Sequence, residues 1–252
     1  MRRPIDQRQA VKWAVAVAAL AALAAAAGCT AWHISDSKQL ARESAPFQSR
    51  PANEQASLLI IGDSTAVGTG ASSPAASVAG LIGAEHKNLR IDNRAVDGAK
   101  YADFVQQLQH VEGNYDAVLV LGGGNDVIRF TSEDNLRASI FNAADLARQH
   151  SRTVILMPPG NVGNAPFFFA PASWWMDKRS RTLHELVRQA AQRTDATYVD
   201  LYKKRSEDPF ALHPREMHAR DGLHPSDAGY RLWFSELQQQ GRIEQALSHQ
   251  PV

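Results

Sequence analysis

Three short, uninterrupted apolar runs punctuate the chain: Leu58–Ile61, Ala117–Leu121 and Val154–Met157, each ended by glycine or proline. Continuous runs of this length fit strands buried on both faces, the situation of a parallel sheet. Leu89–Val96 and Tyr198–Leu201 are weaker strands by the same criterion. Between the runs, apolar residues recur at helical spacing: Tyr101, Phe104, Val105 and Leu108; Leu183, Leu186, Val187 and Ala190; Tyr230, Trp233, Phe234 and Leu237. Thr131-Ser132-Glu133-Asp134 reads as a capping box opening a helix through Leu136 and Ile140. Strands alternating with helices predict an α/β fold of three layers, α/β/α, over residues 57–252.

The N-terminal pattern is of another kind. Arg2, Arg3, Arg8 and Lys12 stand against one acid, Asp6, and the run from Trp13 to Ala27 then carries no charge. A basic region followed by an apolar one predicts a signal or membrane-anchor segment over residues 1–29. The run closes in Ala26-Ala27-Gly28-Cys29, which resembles a bacterial lipobox, so one reading has cleavage before Cys29 and acylation of its thiol. The other has an uncleaved anchor, because uncharged residues continue through Ser35 and approach the ~20 that span a bilayer. Both expect a membrane contact through this segment and the remaining chain in the cell envelope, outside the cytoplasm. Residues 30–56 are polar, hold Pro46 and Pro51, and read as a linker.

Composition removes several classes of function. Lys and Arg total 27 against 26 Asp and Glu, so no domain-wide basic excess calls for a nucleic-acid partner. A hydrophobic share of 44% is enough to build a core and excludes wholesale disorder. One cysteine excludes a disulfide scaffold and a zinc ribbon. His213, His218 and His224 are too irregularly spaced for a metal site, and the first two read as surface residues. No metal and no organic cofactor is expected, and nothing in the sequence bears on oligomeric state.

In an open α/β sheet, ligands bind at the carboxyl ends of the strands. The loops leaving the strands carry Gly62-Asp63-Ser64-Thr65, then Asn93 to Gly98, then Gly122-Gly123-Gly124-Asn125-Asp126. Asp221-Gly222-Leu223-His224-Pro225 precedes the last long helix. One sheet edge thus receives a hydroxyl, backbone and amide donors, a carboxylate and an imidazole. Acyl transfer uses this set: a nucleophile, a base, an acid that orients the base, and donors aimed at the developing oxyanion. The glycines could also cradle a phosphate, but no Gly-Lys-Ser/Thr comes after them. Asp126 suits an Asx turn, and Asp63 and Asn93 suit structural hydrogen bonding.

These blocks resemble the SGNH (GDSL-type) hydrolase family over roughly residues 57–240. Ser64 matches the block I nucleophile, Gly98 the block II glycine, Asn125 the block III asparagine, and Asp221 with His224 the block V Asp-x-x-His. Thr65 stands where the namesake motif has Leu, a position outside the catalytic set. The resemblance implies a flavodoxin-like domain with a central parallel five-stranded sheet. It also implies a serine esterase in which Ser64 attacks, His224 is the base and acid, and Asp221 orients it. Ser64, Gly98 and Asn125 would make the oxyanion hole. The implied substrate is a small-molecule, lipid or acylated-glycan ester. O-acyl transfer to an envelope glycan would use the same triad, and a non-catalytic binding module is the third reading.

Phe167, Phe168, Phe169, Trp174 and Trp175 put five rings into nine residues after the fourth strand. They read either as an acyl pocket or bilayer contact, or as a closure of the core over the sheet edge.

Overall fold

The computed structural model describes residues 7–247. Its elements are α1 (Gln7–Glu43), β1 (Ala56–Gly62), α2 (Ser64–Val67), α3 (Val78–Glu85), β2 (Leu89–Asn93), α4 (Tyr101–Gln109), β3 (Ala117–Leu121) and α5 (Gly124–Ile128). Next come α6 (Glu133–His150), β4 (Val154–Met157), α7 (Ala172–Thr194), β5 (Thr197–Tyr198), α8 (Pro209–Leu212), α9 (Pro214–Met217), α10 (Asp227–Gly241) and α11 (Ile243–Leu247).

The five strands form one parallel sheet in the order β2-β1-β3-β4-β5. Alternate residues feed two cores, as the two-residue period of a strand requires. Leu58, Ile60, Leu119 and Ile155 face α3 and α10, while Leu59, Ile61, Val118 and Leu156 face α4, α6 and α7. Every residue of β1, β3 and β4 is buried, which is why these strands read as unbroken apolar runs. The expected three-layer α/β/α fold is the observed one. Strand order reverses between β1 and β3, and the loops after these two strands flank the crevice where such folds hold ligands.

Several local expectations need correction. β2 stops at Asn93 because that side chain turns back onto the backbone, accepting from Ala95 N–H at 3.0 Å. β5 covers only Thr197–Tyr198. Ser132 is the N-cap of α6 and accepts from Asn135 N–H, so Glu133 opens the helix rather than completing a capping box.

The largest difference lies in residues 30–56. α1 runs on to Glu43, and the extended stretch behind it packs on the domain. Ser49 and Ile91 exchange backbone hydrogen bonds in an antiparallel bridge, Gln48 clasps both backbone groups of Asn93, and Arg50 pairs with Asp92. The segment therefore covers the outer edge of β2, which would otherwise stay open. Among the described residues its only large apolar contact with the core is Phe47, so no hydrophobic period could reveal it. Among the described residues no helix is long and apolar enough to cross a membrane. Cys29 falls within α1, with its side chain outside the described residues.

Candidate active site

β1 ends on Gly62 because nothing larger fits: a Cβ there would lie 2.0 Å from the Leu121 carbonyl oxygen at the end of β3. Asp63 then caps α2, accepting from the N–H and hydroxyl of Thr65 at 2.9 and 2.7 Å. Ser64 is the first residue of that short helix.

His224 enters from the loop before α10. Its Nε2 lies 2.9 Å from Ser64 Oγ, and its Nδ1 lies 2.6 Å from Asp221 Oδ2. The other oxygen of Asp221 accepts from the backbone N–H groups of Leu223 and His224. Asp221 is fully buried. Burial pushes its carboxyl up, but the hydrogen bond and charge of His224 and the two backbone donors outweigh this and leave it below the ordinary value. An ionised Asp221 fixes the proton of His224 on Nδ1, so Nε2 is free to accept from Ser64.

Gly98 and Asn125 arrive from the loops after β2 and β3, and both line the cavity that holds Ser64 and His224. Gly98 has φ +78°. Among the described residues, neither the backbone N–H groups of Ser64 and Gly98 nor the Asn125 amide donates a hydrogen bond, so three donors remain available to a ligand.

The cavity measures about 320 Å³. Ile128, Val162, Phe210, Leu223 and Trp233 give it an apolar wall, and Ser37, Lys38 and Ala41 of α1 contribute one side. It can take an apolar acyl chain beside the serine. None of Phe167, Phe168, Phe169, Trp174 and Trp175 lines it. Phe168 packs against the core, whereas Phe169, Trp174 and Trp175 are exposed. The sequence could not separate these outcomes, because the chain after β4 first passes the cavity at Pro159–Val162 and only then turns outward.

Other residues are placed differently from their sequence reading. His218 is buried against Phe210 and lines the cavity, whereas His213 is exposed as expected. Burial lowers the His218 pKa. Asp126 makes no Asx turn; its carboxylate accepts from Tyr101 N–H at 2.9 Å and anchors the start of α4. The N–H groups of Gly123 and Gly124 point at the carboxylate of Asp63, so the glycine run already holds an anion of the protein's own.

Four supports were missed. Gln107 clasps the N–H and carbonyl of Gly62 at 3.0 Å each. The Thr69 hydroxyl donates to Asp97 at 2.6 Å, just before Gly98. Arg179 donates to the carbonyls of Asp126, Val127 and Thr131 and clamps the turn behind Asn125. Tyr230 donates to the Thr69 carbonyl. Each is a lone polar residue whose partner is far away in sequence, which no local motif marks.

Solved structures with the same fold include TesA, 20% identical with a TM-score of 0.56, the match covering 73% of this chain and 97% of that one. The acetylxylan esterase Axe2 from Geobacillus stearothermophilus is 21% identical with a TM-score of 0.54, over 80% of this chain and 98% of that one. A lipolytic protein of the G-D-S-L family from Veillonella parvula is 18% identical with a TM-score of 0.57, over 73% and 96%. No curated protein matches the chain in sequence. The sequence model of the GDSL-like lipase/acylhydrolase family matches residues 60–232, from β1 into α10 and across every block of the site. The chain belongs to that family and is a carboxylic ester hydrolase of the SGNH type.

Proposed function

We propose that Ser64, His224 and Asp221 act as a catalytic triad on carboxylic esters, with the N–H groups of Ser64 and Gly98 and the Asn125 amide as the oxyanion hole. The observation that carries this reading is the unbroken relay from Ser64 Oγ through His224 to the buried Asp221. Ser64 Oγ attacks the ester carbonyl carbon as its proton passes to His224 Nε2. Asp221 stabilises the imidazolium, and the three unspent donors meet the negative oxygen of the tetrahedral intermediate. When the carbon–oxygen bond to the alcohol breaks, His224 returns the proton to the leaving oxygen. Water, deprotonated by the same imidazole, then releases the acid and restores Ser64.

The cavity supports a choice of substrate class. Its apolar wall suits the acyl portion of a lipid-type ester, and its volume of about 320 Å³ also admits the short acyl group of an acylated glycan. The basic start and uncharged run before Ala27 support export, so we place the enzyme in the cell envelope, tethered through its N-terminal segment.

The test is a fluorophosphonate followed by peptide mass spectrometry, beside a panel of esters graded in chain length. Label on Ser64, and its absence in His224→Ala, is the expected result. An unmodified Ser64 with no turnover on any ester would leave a binding module as the better reading.

A further inference from the structure

We propose that the aromatic surface beside the cavity mouth, formed by Phe130, Phe169, Trp174, Trp175 and Lys178, is a docking face for a lipid bilayer bearing anionic headgroups. The proposal takes its functional meaning from the ester-hydrolase reading of Ser64. Exposures are 59% for Phe130, 63% for Phe169, 70% for Trp174 and 58% for Trp175. Single exposed rings are ordinary, but several large ones side by side mark a contact surface.

They are linked in space. Ser173 N–H donates to the Phe169 carbonyl, so Phe169 sits one turn before the tryptophans. Trp175 and Arg179 lie one turn apart on α7, and the Arg179 guanidinium stacks 5.1 Å from the Phe130 ring centroid. Phe130 adopts φ +53°, a conformation costly for a bulky side chain. It is held in a turn that Arg179 clamps through three backbone carbonyls. The ring is therefore presented outward by a built support.

Composition and position select the occupant. Lys178 stands one turn after Trp174, is exposed, and has no acidic partner among the described residues. Tryptophan beside unpaired lysine is the composition of the membrane–water interface, where the ring lies at the headgroups and the ammonium meets phosphate. Phe130 directly follows Ile128 and Arg129, which line the cavity. On the other side, Phe167 donates its N–H to Gly222 in the loop of Asp221 and His224, and its ring meets His33 of α1 at 5.9 Å. One turn beyond His33, α1 lines the cavity; earlier in the same helix Val11, Trp13, Val15, Val17 and Leu20 are exposed. Seated on a bilayer, this face would bring an apolar cavity to the plane where an ester of a membrane lipid presents its carbonyl.

The full-length chain is assayed on p-nitrophenyl acetate in water and on a long-chain p-nitrophenyl ester carried in vesicles of phosphatidylcholine and phosphatidylglycerol. Phe169→Ser, Trp174→Ser and Trp175→Ser, combined, change no residue that lines the cavity. They should leave acetate turnover unchanged and lower turnover of the vesicle-borne ester about tenfold. Replacing the phosphatidylglycerol by phosphatidylcholine should lower the wild-type rate on vesicles as well. An undiminished vesicle rate in the combined variant overturns the proposal, and so does a wild-type rate indifferent to lipid charge. A readout independent of turnover is the quenching of tryptophan emission by brominated acyl chains. It should be weaker in Trp174→Phe/Trp175→Phe than in the wild type, and equal quenching overturns the proposal even where turnover falls on both substrates. A lipid-free dimer that the combined variant abolishes would assign the face to a second copy and also overturn it. If the wild type cleaves neither ester, the reading of Ser64 fails, while the quenching still decides the docking face.

Discussion

The carboxylate of Asp63 accepts the N–H of Gly123 at 2.8 Å, tying the start of the short helix that carries Ser64 to the start of the one that carries Asn125. These helices follow β1 and β3, adjacent strands whose ends face the crevice. The contact is so close that a Cβ on Gly122 would lie 2.7 Å from the Asp63 carboxyl carbon. The aspartate of Gly-Asp-Ser thus sets the spacing between Ser64 and Asn125.

Asp63→Ala should therefore damage both fold and rate. It strands the buried N–H groups of Thr65 and Gly123, each worth about 1–3 kcal/mol when unsatisfied. Asp63→Asn keeps one acceptor but turns an NH2 group toward the donors of Gly123 and Gly124. Both variants should lose roughly tenfold or more in kcat, since a shift near 1 Å in a catalytic group can cost about 10²-fold. Thermal melts and kcat on a soluble ester check this; wild-type kcat in Asp63→Asn would show that the tie does not set the geometry.

The boundary of the domain is open to a direct test. A chain beginning at Ser57 loses the Ser49–Ile91 bridge, the Arg50–Asp92 pair and the contact of Phe47 with the core. Half-burial of one large ring and two edge hydrogen bonds together suggest about 2 kcal/mol, or roughly 4–8 °C in Tm for a domain of this size. A chain beginning at Ser44 keeps these contacts and should melt near the full-length protein. Its cavity would still lack Ser37, Lys38 and Ala41, so its chain-length preference should change while its Tm does not. Equal Tm for the two truncations would mean the covering segment contributes nothing.

How each feature is encoded decides whether it was legible in the sequence. β1, β3 and β4 are buried on both faces, so they were plain as apolar runs, and the helices facing them kept a helical period. Ser64, Gly98, Asn125, Asp221 and His224 sit in short local blocks after those elements, and they all line one cavity or adjoin it. Hidden features depend on single polar residues whose partners are far away in sequence. Gln107 on α4 reaches Gly62, and Arg179 on α7 reaches the turn after α5. The α1 wall of the cavity was hidden for another reason: Ser37, Lys38 and Ala41 are unremarkable in composition, and only tertiary packing brings them to the site.

Asp97 offers a pH-dependent signature. Burial raises its carboxyl pKa above the ordinary 3.8, and repulsion from Asp63 adds to this, against the Thr69 hydrogen bond and the charge of His224. The folded protein then holds this proton more tightly than the unfolded chain does. The stability so gained is complete below the unfolded value and is lost as pH rises through the folded one. Asp97→Asn keeps an acceptor for Thr69 and has no proton to lose. Its Tm relative to the wild type should therefore rise with pH across the acidic range and stay level near neutrality. A Tm difference independent of pH would mean that Asp97 titrates alike in both states.

Asn125 is the sharpest point of the proposed mechanism. It lies in the first turn of α5 and lines the same cavity as Ser64, and its amide donates to nothing among the described residues. A donor without a protein partner is solvated in the free enzyme and gains most when negative charge grows on an adjacent oxygen. Its contribution then falls on the barrier more than on substrate binding. Loss of one such donor typically costs about 10²–10³ in turnover, or roughly 2.7–4 kcal/mol. Asn125→Ala should lower kcat by that factor with KM little changed, and should melt with the wild type, because the amide supports no other group. Asp126→Ala, one residue on, should do the reverse: it strands the Tyr101 N–H and lowers Tm while a folded fraction keeps most of its kcat. Steady-state kinetics and melts on the pair separate the roles, and wild-type kcat in a well-folded Asn125→Ala would remove Asn125 from the oxyanion hole.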